Sequence, residues 1–501
     1  MIVIPTSALK LHPKRSVLSL PSSSWPDSIT RSLKTIVGHD HVLVHPHERA
    51  LYAYDATLRR SLPDMVVRPF STEQVSQVMA LAYQHQMPVY PRGSATGLSG
   101  GSVPLHGGLV IDLTRMNQIL EMNTEDLYAR VQPGVVVETF FQEVAKSDLF
   151  FPPDPSSARA ATMGGSLAEN AGGPHAFKYG VFRDYTLGLT VVLADGTVIQ
   201  TGGKTVKNVS GYDLTHLLVG SEGTLGIITE ATMKLIPKPE AKRTILAVYD
   251  SLDDATKTVS RIISAGMQPA ALEFIDDASI RVVESFLHLG LPLDAAALLL
   301  IEVDGPETIV MAQAQVIADF CIQHGARDIQ LAHNEKEAQL LWKARKSISS
   351  AVARIKPSKV AEDATVPRSQ IPEMVRRLKA ISQKYGVDLV IFGHIGDGNL
   401  HPNIMCDERN PEEMERVWQA VAEIFAVTLE LGGTLTGEHG VGYMKAPFLE
   451  WEHGPSGVRI METIKDALDP LHILNPGKIF PNRAPAWPID LIQWRSNRAP
   501  S

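Results

Sequence analysis

The 501-residue sequence predicts an α+β fold in two successive halves, and three observations carry that expectation. Residues 66–113 alternate strand-like apolar runs with one amphipathic helix, the pattern of an α/β unit. Glycine-dense loops recur from residue 91 to residue 226 and thin out after Pro237 and Pro239. Beyond that point Ala-rich helical stretches alternate with strands such as AALLLIEVDG. A chain of this length exceeds one ordinary core, so domains of about 100–200 residues are expected.

The elements follow in order. VVRPF is a short strand. STEQVSQVMALAYQHQ is a helix that opens on a capping box, Ser71 with Gln74, and places Val75, Val78, Met79 and Ala82 on one face. MPVYP and GGLVIDL are strands separated by the loop PRGSATGLSGGSVP. A second glycine-dense block runs from Phe151 to Gly180, and VVLADGTVIQTGG then reads as a hairpin turning at Asp195-Gly196. The last helix, VRIMETIKDALD, is stopped by Pro470. The expected divisions are an arm and helical lead-in over 1–60, a front domain over 61–239, a back domain over 240–482 and a tail over 483–501.

Composition narrows the class. The chain is 44% hydrophobic and 20% charged, with a formal charge of −8 and no basic block, which excludes nucleic acid as the expected partner. No apolar run reaches the ~18–20 residues of a membrane span. The first residues break their apolar stretches with Pro5, Lys10 and Pro13, so they read as a loose arm and not as a secretion signal. Cys321 and Cys406 are the only two cysteines and form no paired motif, so a reducing, cytoplasmic setting is expected and no iron–sulfur cluster.

Two sets of residues carry chemistry. In the front half three glycine clusters, PRGSATGLSGGS, MGGSLAENAGG and SEGTLGIIT, offer bare backbone for a pyrophosphate. None is a strand-following GxGxxG or a GxxxxGK[ST], so a nicotinamide Rossmann site and a nucleoside triphosphatase are disfavoured. In the back half GHIGDGNLHPN and GEHGVG supply His394, His401, Glu438 and His439. His394 and His401 lie seven apart and would face opposite sides of an unbroken strand. A reversal at GDGN brings both rings together. Two histidines and a carboxylate leave positions open for water or substrate, as catalytic metal sites do.

The quoted motifs, with PPDPSS, VVLADG, NVSGYDLTHLLVGSEGTLGIIT and LNPGKIF, resemble the vanillyl-alcohol oxidase/p-cresol methylhydroxylase superfamily over about Pro63 to Phe480. Within it the chain resembles the FAD-linked D-2-hydroxy-acid dehydrogenases, nearest the FAD-linked subunits of glycolate oxidases and the D-lactate dehydrogenases. The resemblance implies a PCMH-type FAD-binding domain of two α/β subdomains and a C-terminal α+β substrate domain. For FAD it implies Pro91, Arg92, Gly93, Ser94, Ala95, Thr96, Gly97, Leu98 and Ser99 around the pyrophosphate. Thr162, Gly164, Gly165, Asn170 and Gly173 are implied on the flavin and ribityl side, with Asp154 and Asn475 also at the cofactor. Glu222, Gly223 and Ile228 are implied at the adenine end or the neighbouring backbone. Thr96 stands where some relatives carry a flavin-linking histidine, so FAD is expected to be noncovalent.

The resemblance also implies a divalent metal, zinc, manganese or iron, held by His394, His401 and Glu438, with His439 as the base. Arg345 matches the substrate arginine, Ser349 a hydroxyl position and Asn403 a polar residue near the substrate oxygens. Trp342, Arg345 and Ser349, spaced i, i+3, i+7, are expected on one helical face. D-2-hydroxyglutarate dehydrogenases carry a lysine at the position of Ala361, so a short monocarboxylic substrate, glycolate or D-lactate, is preferred over hydroxyglutarate. A noncatalytic FAD-holding subunit and an FAD-dependent ether-lipid synthase are the competing readings. Implied partners are a second FAD subunit and an iron–sulfur subunit as electron acceptor, with peripheral membrane attachment through them. A homodimer is left open.

Overall fold

The computed structural model describes residues 25–480. Residues 1–24 of the expected arm and lead-in (1–60), and all of the expected tail (483–501), lie outside the described residues.

The front half is two sheets. Strands Met65–Val67, Leu109–Asp112 and Val89–Arg92 lie parallel, with Val42–Leu43 antiparallel at one edge. The helix Thr72–Gln84 connects Met65–Val67 to Val89–Arg92 and packs on the sheet through Val75, Val78, Met79 and Ala82, all buried. Ser71 Oγ accepts from the Gln74 N–H, while the Gln74 side chain reaches back to the Phe70 N–H, one residue earlier than a capping box specifies. The second sheet has the order Ile119–Asn123, Tyr128–Val131, Ile227–Lys234, Thr186–Val192, Val198–Gly202. Its last two strands are the hairpin turning at Asp195-Gly196, where Gly196 has φ +89°.

The back half is built on an eight-stranded sheet whose middle strands are Ala297–Gly305, Ala271–Asp276, Asp388–His394 and Asn399–Cys406. The run ALLLI, Ala297 to Ile301, is apolar at every step because both faces are covered. Leu299 and Ile301 join the large core under helices Leu252–Ser264, Glu307–Gln323, Ile371–Tyr385 and Pro411–Glu430. Leu298 and Leu300 join a smaller cluster on the other face, with Trp342, Ile348 and Phe392.

The chain then returns to the front half. After a kink at Gly454 (φ +66°, ψ 167°), the helix ending at Leu468 leads to Ile473 and Leu474, which pack into the core of the first sheet. Lys465, buried, donates to the carbonyls of Thr224 and Leu474 and pairs with Asp469. Between the halves, His175 sits between Asp154 (2.8 Å) and Glu302 (3.1 Å), and Asp304 receives Lys178 and the Tyr179 hydroxyl. Burial opposes a charge on His175, but the two carboxylates outweigh it and push its pKa up to about 10.

Candidate active site

One cavity of 590 Å³ lies where the halves meet, within the size range of ligand pockets. Its front wall is Pro91, Arg92, Gly93, Ser94, Ala95, Thr96, Gly97 and Leu98, joined by Thr162, Gly164, Gly165, Glu222, Gly223, Ile228 and Asn475. Its back wall includes Lys346, Ser349, Lys359, Glu438 and His439.

The glycines serve two purposes. A Cβ on Gly223 (φ +68°) would stand 2.5 Å from Pro91 Cγ, and one on Gly164 would stand 2.4 Å from Pro133 Cβ, so these positions let the walls close on each other. A Cβ on Gly97 would meet only Glu169 Oε1, at 3.7 Å, which leaves the backbone there open to a ligand. Ala95, Glu222 and Asn475 adopt φ of +56°, +52° and +43° without being glycine, so the cavity wall holds local backbone strain. Gly223→Val combines a left-handed φ with a collision against Pro91. It is expected to give folded protein that purifies without the yellow cofactor, checked by the flavin absorbance per chain.

Ser99, Asp154, Asn170 and Gly173 are not among the cavity lining, and several lining positions spend their polar atoms on the protein itself. Arg92 lines the cavity, yet its guanidinium is held by the carbonyls of Tyr52 (3.4 Å) and Tyr54 (2.8 Å). Ser99 is a clasp to the back half: its carbonyl accepts the N–H groups of Tyr443 and Met444. Asp154 is occupied by His175, Asn170 accepts from the Arg183 N–H, and Gly173 packs on the Asp154 carbonyl. The Glu222 carboxylate receives the N–H groups of Val441 and Gly442, both at 2.7 Å, and so fixes the GEHGVG turn. Asn475 Nδ2 donates to the carbonyls of Gly101 and Glu222 and ties the glycine loops together.

The histidines converge as the reversal demands. In the hairpin of Asp388–His394 with Asn399–Cys406, His401 stands opposite Phe392 and His394 opposite Asn399. Opposite residues share a face, so the two rings become diagonal neighbours, with centroids 5.0 Å apart. The Nε2 atoms of His394, His401 and His439 lie 3.3, 3.4 and 3.9 Å from Glu438 Oε1. The first two separations match the edge, roughly 3.4 Å, of a tetrahedron with metal–ligand bonds of about 2.1 Å. Behind them Glu273, fully buried, accepts at 2.6 Å from His394 Nδ1 and pairs at 2.5 Å with Arg345 Nε. A carboxylate behind a metal-facing imidazole fixes its tautomer and raises its basicity.

Electrostatics agree with a cation site. Burial opposes charge on His394, but Glu273 and Glu438 overcome it and hold the ring protonated, well above the usual histidine range. A positive charge is thus favoured where a metal would sit, and metal binding would displace that proton. Burial raises the Glu438 carboxyl, yet His394 and the other imidazoles more than offset this and bring it to about 2. Desolvation lowers both His401 and His439. His439 is therefore neutral, the form that can accept a proton.

The helical face expected for Trp342, Arg345 and Ser349 is broken. One helix ends at Lys346 and a short one begins at Ile348, so Trp342 and Arg345 are buried while Ser349 is exposed to the cavity, where Lys359 Nζ holds it. Arg345 sits behind the wall, with its guanidinium 4.9 Å over the Phe392 ring and Nη2 without a partner. Asn403 is also behind the wall and donates to the His401 carbonyl. Sequence reasoning gave no role to Glu273 or Asp363. A charged residue inside the apolar strand ALEFID was the available signal for the first.

The glycine loops of the front half and the Glu438 and His439 side chains of the back half thus line one cavity, an arrangement that suits a flavin-dependent oxidoreductase. The chain belongs to the FAD-linked oxidases: residues 63–202 match the FAD binding domain family and residues 238–479 match the family "FAD linked oxidases, C-terminal domain". It is 52% identical to the protein named "Glycolate oxidase subunit GlcD" of Bacillus subtilis over 433 residues, 86% of this chain and 92% of that one. It is 36% identical to the protein named "D-lactate dehydrogenase" of Archaeoglobus fulgidus, covering 91% and 99%. The fold is also that of p-cresol methylhydroxylase, at a TM-score of 0.78 and 18% identity over 91% of this chain and 96% of the other. No helix among the described residues is long and apolar enough to cross a membrane.

Proposed function

We propose that this chain oxidises a short 2-hydroxy acid, glycolate or D-lactate, to the 2-oxo acid, using noncovalent FAD and a divalent ion at His394, His401 and Glu438. The observation that carries this is the shared wall: Glu438 and His439 face the same cavity as the glycine loops. The names of the two relatives support a substrate of this class.

Bound FAD supplies the hydride acceptor, and the ion supplies a Lewis acid that lowers the pKa of the substrate hydroxyl. His439 takes the hydroxyl proton on Nε2 as the hydride leaves the neighbouring carbon. Ser349, with Lys359 beside it, lines the cavity and is assigned to the substrate carboxylate, while Arg345 and Asn403, behind the wall, hold Glu273 and the His401 strand in place. Electrons leave to a separate acceptor, for which an iron–sulfur subunit with a second FAD subunit is the proposed partner. The relative's description as a subunit supports a multi-subunit arrangement, and attachment at a membrane through the partners is part of the same proposal.

The test is anaerobic bleaching of the flavin band by glycolate, D-lactate, L-lactate and D-2-hydroxyglutarate, before and after chelation. Bleaching by glycolate or D-lactate, lost on chelation and restored by zinc, manganese or iron, is the expected result. Bleaching by none of the four acids would overturn the substrate class, and bleaching that survives complete metal removal would overturn the metal's role.

A further inference from the structure

Three imidazoles face Glu438, and each must present Nε2 inward with Nδ1 outward. Glu273 fixes His394 in this way. The Nδ1 atoms of His401 and His439 are both buried and have no hydrogen-bond partner. Their rings stack at 5.1 Å with an interplanar angle of 10°. Behind them lies Asp363, with no exposed surface.

The two oxygens of Asp363 differ. Oδ2 accepts the Thr436 hydroxyl (2.8 Å) and the N–H groups of Gly437 (2.8 Å), Glu438 (2.9 Å) and His439 (3.0 Å), with Lys445 Nζ at 3.6 Å. Oδ1 is buried, unpartnered and 3.9 Å from His401 Nδ1. Asp363, His401 and His439 each bring one ligating atom within 4.8 Å of the other two. A gap of this size closes through a small rotation or one bridging water.

We propose that Asp363 is a positioning residue that does for His401 and His439 what Glu273 does for His394. One oxygen builds the turn that carries Glu438 and His439. The other accepts from the Nδ1 side of the stacked rings, so that both keep their Nε2 lone pairs for the metal and for the substrate proton. The inference rests on the proposed function for what Nε2 does, but not for which nitrogen carries the proton.

Asp363→Asn separates the two tasks. The amide oxygen can still receive the turn donors, while the NH₂ group replaces the acceptor facing the rings. Read by ¹⁵N histidine NMR on the FAD-loaded, metal-free protein, wild type is expected to show His401 and His439 protonated on Nδ1, and the variant to shift both toward Nε2. Zinc affinity is expected to fall about 10–100-fold, the usual cost of losing an outer-shell partner. Melting temperature and FAD content stay near wild type, and Asp363→Glu restores part of the zinc affinity. Unchanged tautomers with unchanged zinc affinity would overturn the proposal. A variant that loses FAD and melts as early as Asp363→Ala would overturn it too, since Asp363 would then only hold the turn. If wild type oxidises no hydroxy acid, the functional reading fails while the tautomer result still decides the role of Asp363.

Discussion

His439→Ala is expected to keep the yellow cofactor while flavin reduction by the hydroxy acid falls about 10²–10⁴-fold, the range for removing a general base. The side chain meets the cavity but the turn that carries it is held by others. Asp363 and Glu222 bind the backbone of residues 437–439 and 441–442, so deleting the ring leaves the wall standing. The measurement is stopped-flow bleaching of the flavin under anaerobic conditions. A rate within threefold of wild type would remove His439 from the chemistry.

His394→Ala is expected to be at least as severe, and for a different reason. His394 is one of three side chains facing the metal position and is buried against Glu273. Deleting it removes a ligand and leaves the Glu273 carboxylate with Arg345 alone. Loss of an outer-shell partner already costs roughly 10–100-fold in metal affinity, and loss of a ligand exceeds that. Elemental analysis should therefore find the variant essentially metal-free, with FAD retained and bleaching abolished. Full metal occupancy in the variant would place the ion elsewhere. The two substitutions are distinguishable: His439→Ala should keep its metal.

Much of this was legible in the sequence, because it depends on local chemistry. The helix after Phe70 follows from a polar cap and an apolar stripe. The hairpin at Asp195-Gly196 follows from a turn that needs positive φ. The pairing of His394 with His401 follows from a reversal between two strand segments, since opposite positions in a hairpin point the same way. The family follows from motifs that occur together across most of the chain.

What stayed hidden depends on partners distant in sequence. Arg345 reads as a free fork, but Glu273, on a neighbouring strand, binds its Nε and draws it behind the cavity wall. Glu222 and Ser99 read as cofactor positions, and nothing local reveals that their acceptors also take backbone N–H groups some hundreds of residues away. Ser349 reads as sharing a face with Trp342, but the helix ends before it.

The sequence by itself determined the inventory: glycine loops able to admit a dinucleotide, and imidazoles and a carboxylate able to hold a cation. Only the tertiary structure decided which of them meet. Local propensity and periodicity are set within a few residues, whereas the direction of a buried charged side chain is set by whichever counter-charge the folded chain brings to it. Glu273 and Asp363, each buried behind the rings, are where that difference is greatest.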